Sequence, residues 1–378
     1  MSAAPIGMSA KVDIDVVVTE MLSSVVGQEL ISWSWEAMAW SWYVICELVI
    51  AILGITGNAL VIVVVFGRRS MNRSTDILVG NLAIADFVTS VFLIPHPTVN
   101  SIPNTWTGSL FCKVMEGEYV MWTAVTASIY SLVAVSFDRF FAVVYPIHFM
   151  RFATRRLVNR IVCLIWAGSC VFMVRIFWTN TTDVIVGKCV YQRQPRSLET
   201  VFGIYVFVVH FALPTVLMVV TQIAIARSLR REAARFVSNE STASFHQIAR
   251  SRVLTLTLTV VLIYVICWAP DQIAFLSFNL GLTPSFVRST LARVVIALAI
   301  CNSCVNPIVY TLRHPQFREA VRHFFRNKSK RNTPIFEDLE LQHRLEKSHL
   351  KHRQKSNLRL PHAIELSICQ HANVGSAD

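Results

Sequence analysis

Charge is scarce in this chain. Only 15% of its 378 residues are charged, and 54% are hydrophobic. A soluble domain of this size needs far more charged surface, so that class is excluded. The sequence has no Gly- or Pro-rich linker and no internal repeat. Transporters tend to carry repeats, so a transporter is the weaker of the membrane readings. Metal-ligand spacing is missing as well. The nine cysteines are scattered; Cys301 and Cys304 have a local Cys-x-x-Cys spacing but lie in an apolar run with no second pair. No nucleophile, paired carboxylate or metal motif points to an enzyme. The first ~30 residues lack the basic start and compact apolar core of a cleavable signal, so the first membrane span is expected to act as its own targeting signal.

What is present is apolar length. Seven runs of about 20 or more largely apolar residues mark bilayer-spanning helices, at roughly 42–66, 76–100, 112–144, 156–178, 200–226, 253–279 and 288–311. This divides the chain into a segment 1–41, a bundle 42–312 and a tail 313–378. Basic residues set the orientation. Arg68, Arg69 and Arg73 follow span one; Arg151, Arg155 and Arg156 follow span three; Arg227, Arg230, Arg231, Arg235, Arg250 and Arg252 lie between spans five and six. The tail opens with Arg313, Arg318, Arg322, Arg326, Lys328, Lys330 and Arg331. Seven spans put all four segments on one side, so the N-terminus is expected outside and the C-terminus in the cytoplasm. The net charge of +12 mostly reflects this asymmetry and attraction to anionic inner-leaflet lipid, not nucleic-acid binding. The polar, mixed-charge stretch 332–378 reads as a disordered tail.

Each span carries unusual residues. They are Gly57-Asn58, then Leu82-Ala83-Ile84-Ala85-Asp86, Asp138-Arg139-Phe140, Trp166, Pro214, Cys267-Trp268-Ala269-Pro270, and Asn306-Pro307-Ile308-Val309-Tyr310. Proline inside a helix removes a hydrogen bond, and asparagine or aspartate at membrane depth is costly without partners. Asp86 has such partners in reach on other spans: Asn58, Ser128, Asn302, Ser303 and Asn306 lie at comparable depth. They suit water or a hard cation held by oxygens, or a protonated carboxyl that glues helices. Asp138-Arg139 alone reads as an interfacial charge pair that snorkels to the headgroups.

Taken in order over about residues 42–326, this set resembles the rhodopsin-type (class A) G-protein-coupled receptors. The resemblance implies an all-α membrane protein: a seven-transmembrane helix bundle with a short amphipathic eighth helix. It implies an extracellular ligand, a heterotrimeric G protein, and arrestin and receptor kinases as partners. It implies a sodium ion at Asp86 and no other cofactor. Asp138, Arg139, Ile147 and Tyr310 would then form the coupling switch, with Ile147 docking into the G protein. Cys112 and Cys189, the two cysteines at or beyond the outer membrane edge, are expected to form a disulfide. Cys112 precedes Arg139 by 27 residues, about two more than the family norm, so a bulge or a longer helix is expected.

The chain departs from the family at several positions. Phe140 replaces a tyrosine, Arg250 stands where some relatives place a glutamate that clamps the arginine, and Gln222 stands where most have a tyrosine. The inactive state is therefore expected to be less firmly latched. His314 to Arg326 is amphipathic, with Phe317, Val321, Phe324 and Phe325 on one face, so it reads as an interfacial helix against membrane lipids. No cysteine follows it closely, and Cys369 is too distant to serve as an anchor site.

The ligand class follows by elimination and resemblance. Met121 stands where an amine receptor needs an aspartate, and Ile300 where an opsin needs a lysine. Alternation around Cys189 with Gly187 suggests a β-hairpin lid, which with Pro95 resembles neuropeptide receptors. His96, Glu118, Met121, Trp268, Asp271, Gln272, Phe275 and Arg293 are the expected ligand-binding residues. Asp271 has two readings: contact with a positively charged or donating end of a peptide, or a lock paired with Arg293. Asn180 heads the one sequon expected outside; those at Asn72, Asn239 and Asn327 fall on the cytoplasmic side. Besides a transporter, the rival reading is a non-coupling seven-helix decoy or scaffold, against which Arg139 and the Pro307–Tyr310 element argue.

Overall fold

The computed structural model describes residues 32–67, 74–183, 187–192, 194–235, 240–286, 289–313 and 315–325, with backbone alone at 232–235, 240–257, 315–316 and 323. Among the described residues, seven helical stretches are long and apolar enough to cross a membrane: Trp42–Phe66, Ser74–Phe92, Trp106–Val144, Arg155–Thr179, Arg196–Arg231, Leu258–Leu280 and Thr290–Arg313. We number them spans one to seven. Spans two and three are the most buried of the seven, and span four is the most peripheral.

Prolines shape the bundle. Span two stops at Phe92 rather than near residue 100, because Pro95 and Pro97 follow. Span five carries a π-helical turn, Val208–Ala212, just before Pro214. Pro214 has no N–H for the carbonyl of His210 four residues back, and the Tyr264 hydroxyl of span six donates to that oxygen instead. Pro307 in span seven likewise leaves the Ser303 carbonyl without its helical donor. Asn58 of span one fills the gap, its Nδ2 donating to Ser303 O at 2.9 Å. Gly57 is needed beside it, since a Cβ there would lie 3.0 Å from the Pro307 ring.

The expected irregularity in span three is present. A π-helical turn covers Cys112–Glu116, and the regular helix restarts at Tyr119 after Glu118, which has φ 53°. Cys112 is bonded to Cys189 with Cα atoms 5.4 Å apart. Cys189 sits in a hairpin of two antiparallel strands, Asn180–Asp183 and Lys188–Tyr191 (β3 and β4), turning at Gly187 with φ 62°. A second antiparallel pair was not anticipated: Ser34–Glu36 (β1) pairs with Thr98–Ser101 (β2).

The core runs down the axis as Leu82, Val125, Ile129, Leu132, Met218, Tyr264, Trp268 and Ala299. A second cluster joins Val61, Val64, Val65, Val79 and Tyr310 to Phe317 and Ala320 of a short helix, Pro315–Phe325. That helix is the expected amphipathic one, but its apolar face divides. Phe317 is buried against the bundle, while Phe324 and Phe325 are exposed and available to lipid. Arg318 caps span seven, donating from Nη1 to the Leu312 carbonyl at 2.9 Å. Asn72, Asn239, Asn327, Cys369, the tail 332–378 and the side chain of Arg250 lie outside the described residues.

Candidate functional site

Three groups of the singled-out residues are stacked along the bundle axis. At mid-depth, Asp86 is fully buried. Its Oδ1 accepts from Ser128 Oγ at 2.6 Å and its Oδ2 from Asn306 Nδ2 at 2.8 Å. Spans two, three and seven thus meet on one carboxylate. Ser303 and Asn302 are buried beside them, and Asn302 Oδ1 has no partner among the described residues. Asn58 behaves differently from the expectation. Its amide nitrogen goes to the carbonyls of Gly54 and Ser303, not to the carboxylate, because the proline kink creates a stronger demand there. One turn away, Trp166 Nε1 donates to Asn81 Oδ1 at 2.9 Å and Asn81 Nδ2 to Ser131 Oγ at 2.8 Å, fixing span four to spans two and three.

At the end opposite the disulfide, Arg139 forms an ion pair with Asp138, Nη2 to Oδ2 at 3.0 Å. Thr75 of span two completes the group. Its hydroxyl donates to Asp138 Oδ2 at 2.5 Å and accepts from Arg139 Nη2. The pair is not snorkelling into solvent; its side chains are only 11% and 5% exposed. Ile147, on the short helix Pro146–Phe152 that follows, is 67% exposed. Tyr310 is buried and stacks edge-on against Phe317. Sequence reading missed Thr75; a hydroxyl one helix over from an Asp-Arg pair has no distinguishing pattern.

At the disulfide end, Trp268, Asp271 and Gln272 are buried on span six, and Met121 is buried on span three. Asp271 accepts from Gln272 Nε2 at 3.0 Å. It does not pair with Arg293. Arg293 is exposed and lies over the Tyr43 ring of span one, 4.2 Å from guanidinium carbon to centroid. The Asp271–Arg293 lock is therefore corrected: the arginine reaches towards span one, where Glu47 also sits. Glu118 accepts from Trp122 Nε1 at 2.9 Å, and His96 packs against Phe111 with centroids 6.4 Å apart. Phe275 is half-buried one turn above Asp271.

Four ionisable residues here escaped the sequence reading: Glu47, His210, Arg175 and Glu199. Glu47, His210 and Arg175 carried the signal of an ionisable group within an apolar run. His210 is buried, its Nε2 2.9 Å from Thr126 Oγ1 and its ring stacked on Phe172 at 4.6 Å beside Trp268. The hairpin is fixed to spans four and five by Arg175, which pairs with Glu199 at 2.9 Å, donates to Tyr191 at 3.1 Å and lies over the Phe202 ring. Burial pushes the Tyr191 phenol up, opposed by the Arg175 charge. Asn180 starts β3 half-buried, its Nδ2 donating to the Ile176 carbonyl at 3.2 Å.

The bundle thus has a buried polar core, an arginine held in an ion pair at one end and a disulfide-tied hairpin at the other. Residues 57–310 match the family described as 7 transmembrane receptor (rhodopsin family), and the chain belongs to it: it is a multi-pass membrane protein of the rhodopsin-type G-protein-coupled receptors. Among its relatives is the Allatostatin-A receptor of Bombyx mori, 30% identical over 285 residues, 72% of this chain and 76% of that one. Rhodopsin, GQ-coupled, of Mizuhopecten yessoensis is 27% identical over 287 residues, 72% of this chain and 57% of that one. The Substance-P receptor of Aquarana catesbeiana is 26% identical over 302 residues, 77% of this chain and 71% of that one.

Proposed function

We propose that this chain is a plasma-membrane receptor for an extracellular peptide that activates heterotrimeric G proteins. The observation that carries coupling is Arg139. It is held by Asp138 and Thr75 at the end of span three, beside an exposed Ile147, a charge kept in reserve for a partner. A decoy or scaffold has no use for that arrangement. The peptide reading is supported by the hairpin tied across the disulfide end and by relatives named for allatostatin-A and substance P. Ile300, buried in span seven, takes the place of the lysine a retinal pigment requires. The N-terminus then lies outside and the C-terminus in the cytoplasm, where arrestin and receptor kinases act. The chain is no enzyme; it promotes nucleotide exchange by its partner.

Peptide contact falls to His96, Glu118, Met121, Trp268, Asp271, Gln272, Phe275 and Arg293, with Glu47 added from the structure. A sodium ion fits the mid-depth group. The donors Asp86, Ser128, Ser303 and Asn302 are all oxygens, and Asn302 Oδ1 is a buried acceptor in want of a donor or cation. Such an ion would supply a positive charge opposite Asp86. The test of the whole reading is a peptide library screened on cells reporting calcium and cyclic AMP. A peptide that signals through the parent chain and binds Arg139→Ala without signalling supports it. Full signalling by Arg139→Ala would overturn the assigned coupling mode.

A further inference from the structure

The pairing of β1 with β2 has no part in the signalling core, yet it is built in detail. Ser34 and Ser101 are opposite each other in register, their hydroxyl oxygens 2.9 Å apart. Ser101 Oγ also donates to the Ser32 carbonyl at 2.6 Å. Trp33 and Trp35 stack on each other at 5.8 Å and meet the edge of Phe111 at 5.3 and 5.8 Å. Phe111 directly precedes the disulfide Cys112 and also touches His96. Past β2, the Ile102 N–H donates to the Gly187 carbonyl at the turn of the β3–β4 hairpin, 2.7 Å away. Residues 37–41 lead from β1 straight into span one. One connected path therefore ties the start of span one to β2, to the hairpin and to the disulfide.

At the β1 end this path is lightly anchored. All three residues of β1 are exposed, and a three-residue strand with one partner is short of the contacts that make a pair persist. Its hold is two indole rings on one phenyl and a few exposed hydrogen bonds. We infer that residues 32–36 are a releasable strap. Closed, it clamps the loop after span two and the hairpin over the mouth of the bundle; open, it admits ligand. The inference rests on the receptor reading, in which ligand enters from the disulfide end.

The test needs no ligand. Phe275→Cys places a reporter thiol at a half-buried position of span six, one turn from Asp271. Its rate of modification by a charged, membrane-impermeant methanethiosulfonate reagent is measured on intact cells, with the parent chain as background for native cysteines. Three backgrounds are compared: the parent strap, Ser34→Cys/Ser101→Cys to lock it, and Trp33→Ser/Trp35→Ser to release it. The lock is verified as a disulfide by mass spectrometry of a non-reduced digest. The strap predicts at least tenfold faster labelling in the released form than in the locked form, with the parent between. Equal rates in locked and released forms overturn it. Should the locked pair fail to reach the surface, parent against released decides alone: equal labelling there sinks the strap. Because the reagent is not a peptide, either result is independent of whether the peptide reading holds.

Discussion

Removing the Thr75 hydroxyl should raise ligand-independent activity. Thr75→Val keeps the shape of the side chain but deletes the bond to Asp138 Oδ2 and the acceptor for Arg139 Nη2. A hydrogen bond to a charged group contributes about 1.5–3 kcal/mol. Asp138 is 5% exposed on its side chain, so solvent screening reduces that little. If the bonds belong to the latched state alone, their loss shifts the latched-to-released ratio by about tenfold or more, since 1.4 kcal/mol is a factor of ten. A receptor with ~1% of its molecules released at rest would rise to ~10%. The assay is binding of a slowly hydrolysed GTP analogue by G protein in receptor membranes without ligand, at matched surface expression. Thr75→Ser keeps the hydroxyl and should stay near the parent. If Thr75→Val and Thr75→Ser give the same basal rate, the latch has no energetic link to activation.

Other outcomes follow from the same geometry. Asp86→Asn should leave expression largely intact but abolish the sodium sensitivity of agonist affinity, measured against a matched ionic-strength control; retained sensitivity would reject the cation site. Asp271→Asn should cut potency at least tenfold for a basic peptide and much less for a neutral analogue. Because Asp271 bonds Gln272, the Asp271→Arg/Arg293→Asp swap should not restore function; restoration would reinstate the pair. Any N-glycan in mammalian cells should map to Asn180 and vanish in Asn180→Gln, whereas glycan on Asn239 would invert the topology. Arg175→Ala should loosen the hairpin and weaken peptide affinity by about tenfold, for loss of a charged hydrogen bond and a ring contact; unchanged affinity would exclude the hairpin from binding.

Long apolar runs made the seven spans legible, because a bilayer imposes both length and polarity. Their ends were less legible: span two was read eight residues too long, since apolar character continues past Phe92 while Pro95 and Pro97 end the helix. Asp86 with Ser128 and Asn306 was legible because buried carboxylates demand partners. Asn58 was placed at the right depth but on the wrong acceptor; only the helix geometry shows that Pro307 frees the Ser303 carbonyl. The Asp271–Arg293 pair failed for a related reason. Two opposite charges in apolar spans invite pairing, but rotation about the helix axes decides, and Arg293 faces Tyr43. β1 was illegible: three residues against four, far apart in sequence, with no alternation to announce them.

The π turn at Cys112–Glu116 and the left-handed Glu118 break the phase of span three. From Tyr119 inward the helix is regular, so counting back from Arg139 assigns each side chain to its proper face, and Met121 is fairly compared with an amine receptor's aspartate. Beyond Gly117 the count no longer carries over. The π turn rotates everything nearer the disulfide relative to the regular helix. A change in the number of residues at Cys112–Glu116 would leave the regular helix from Tyr119 in phase and turn different side chains towards the disulfide end. Insertion or deletion at this one turn would therefore re-aim the disulfide end of span three while leaving Ser128, Asp138 and Arg139 on their faces.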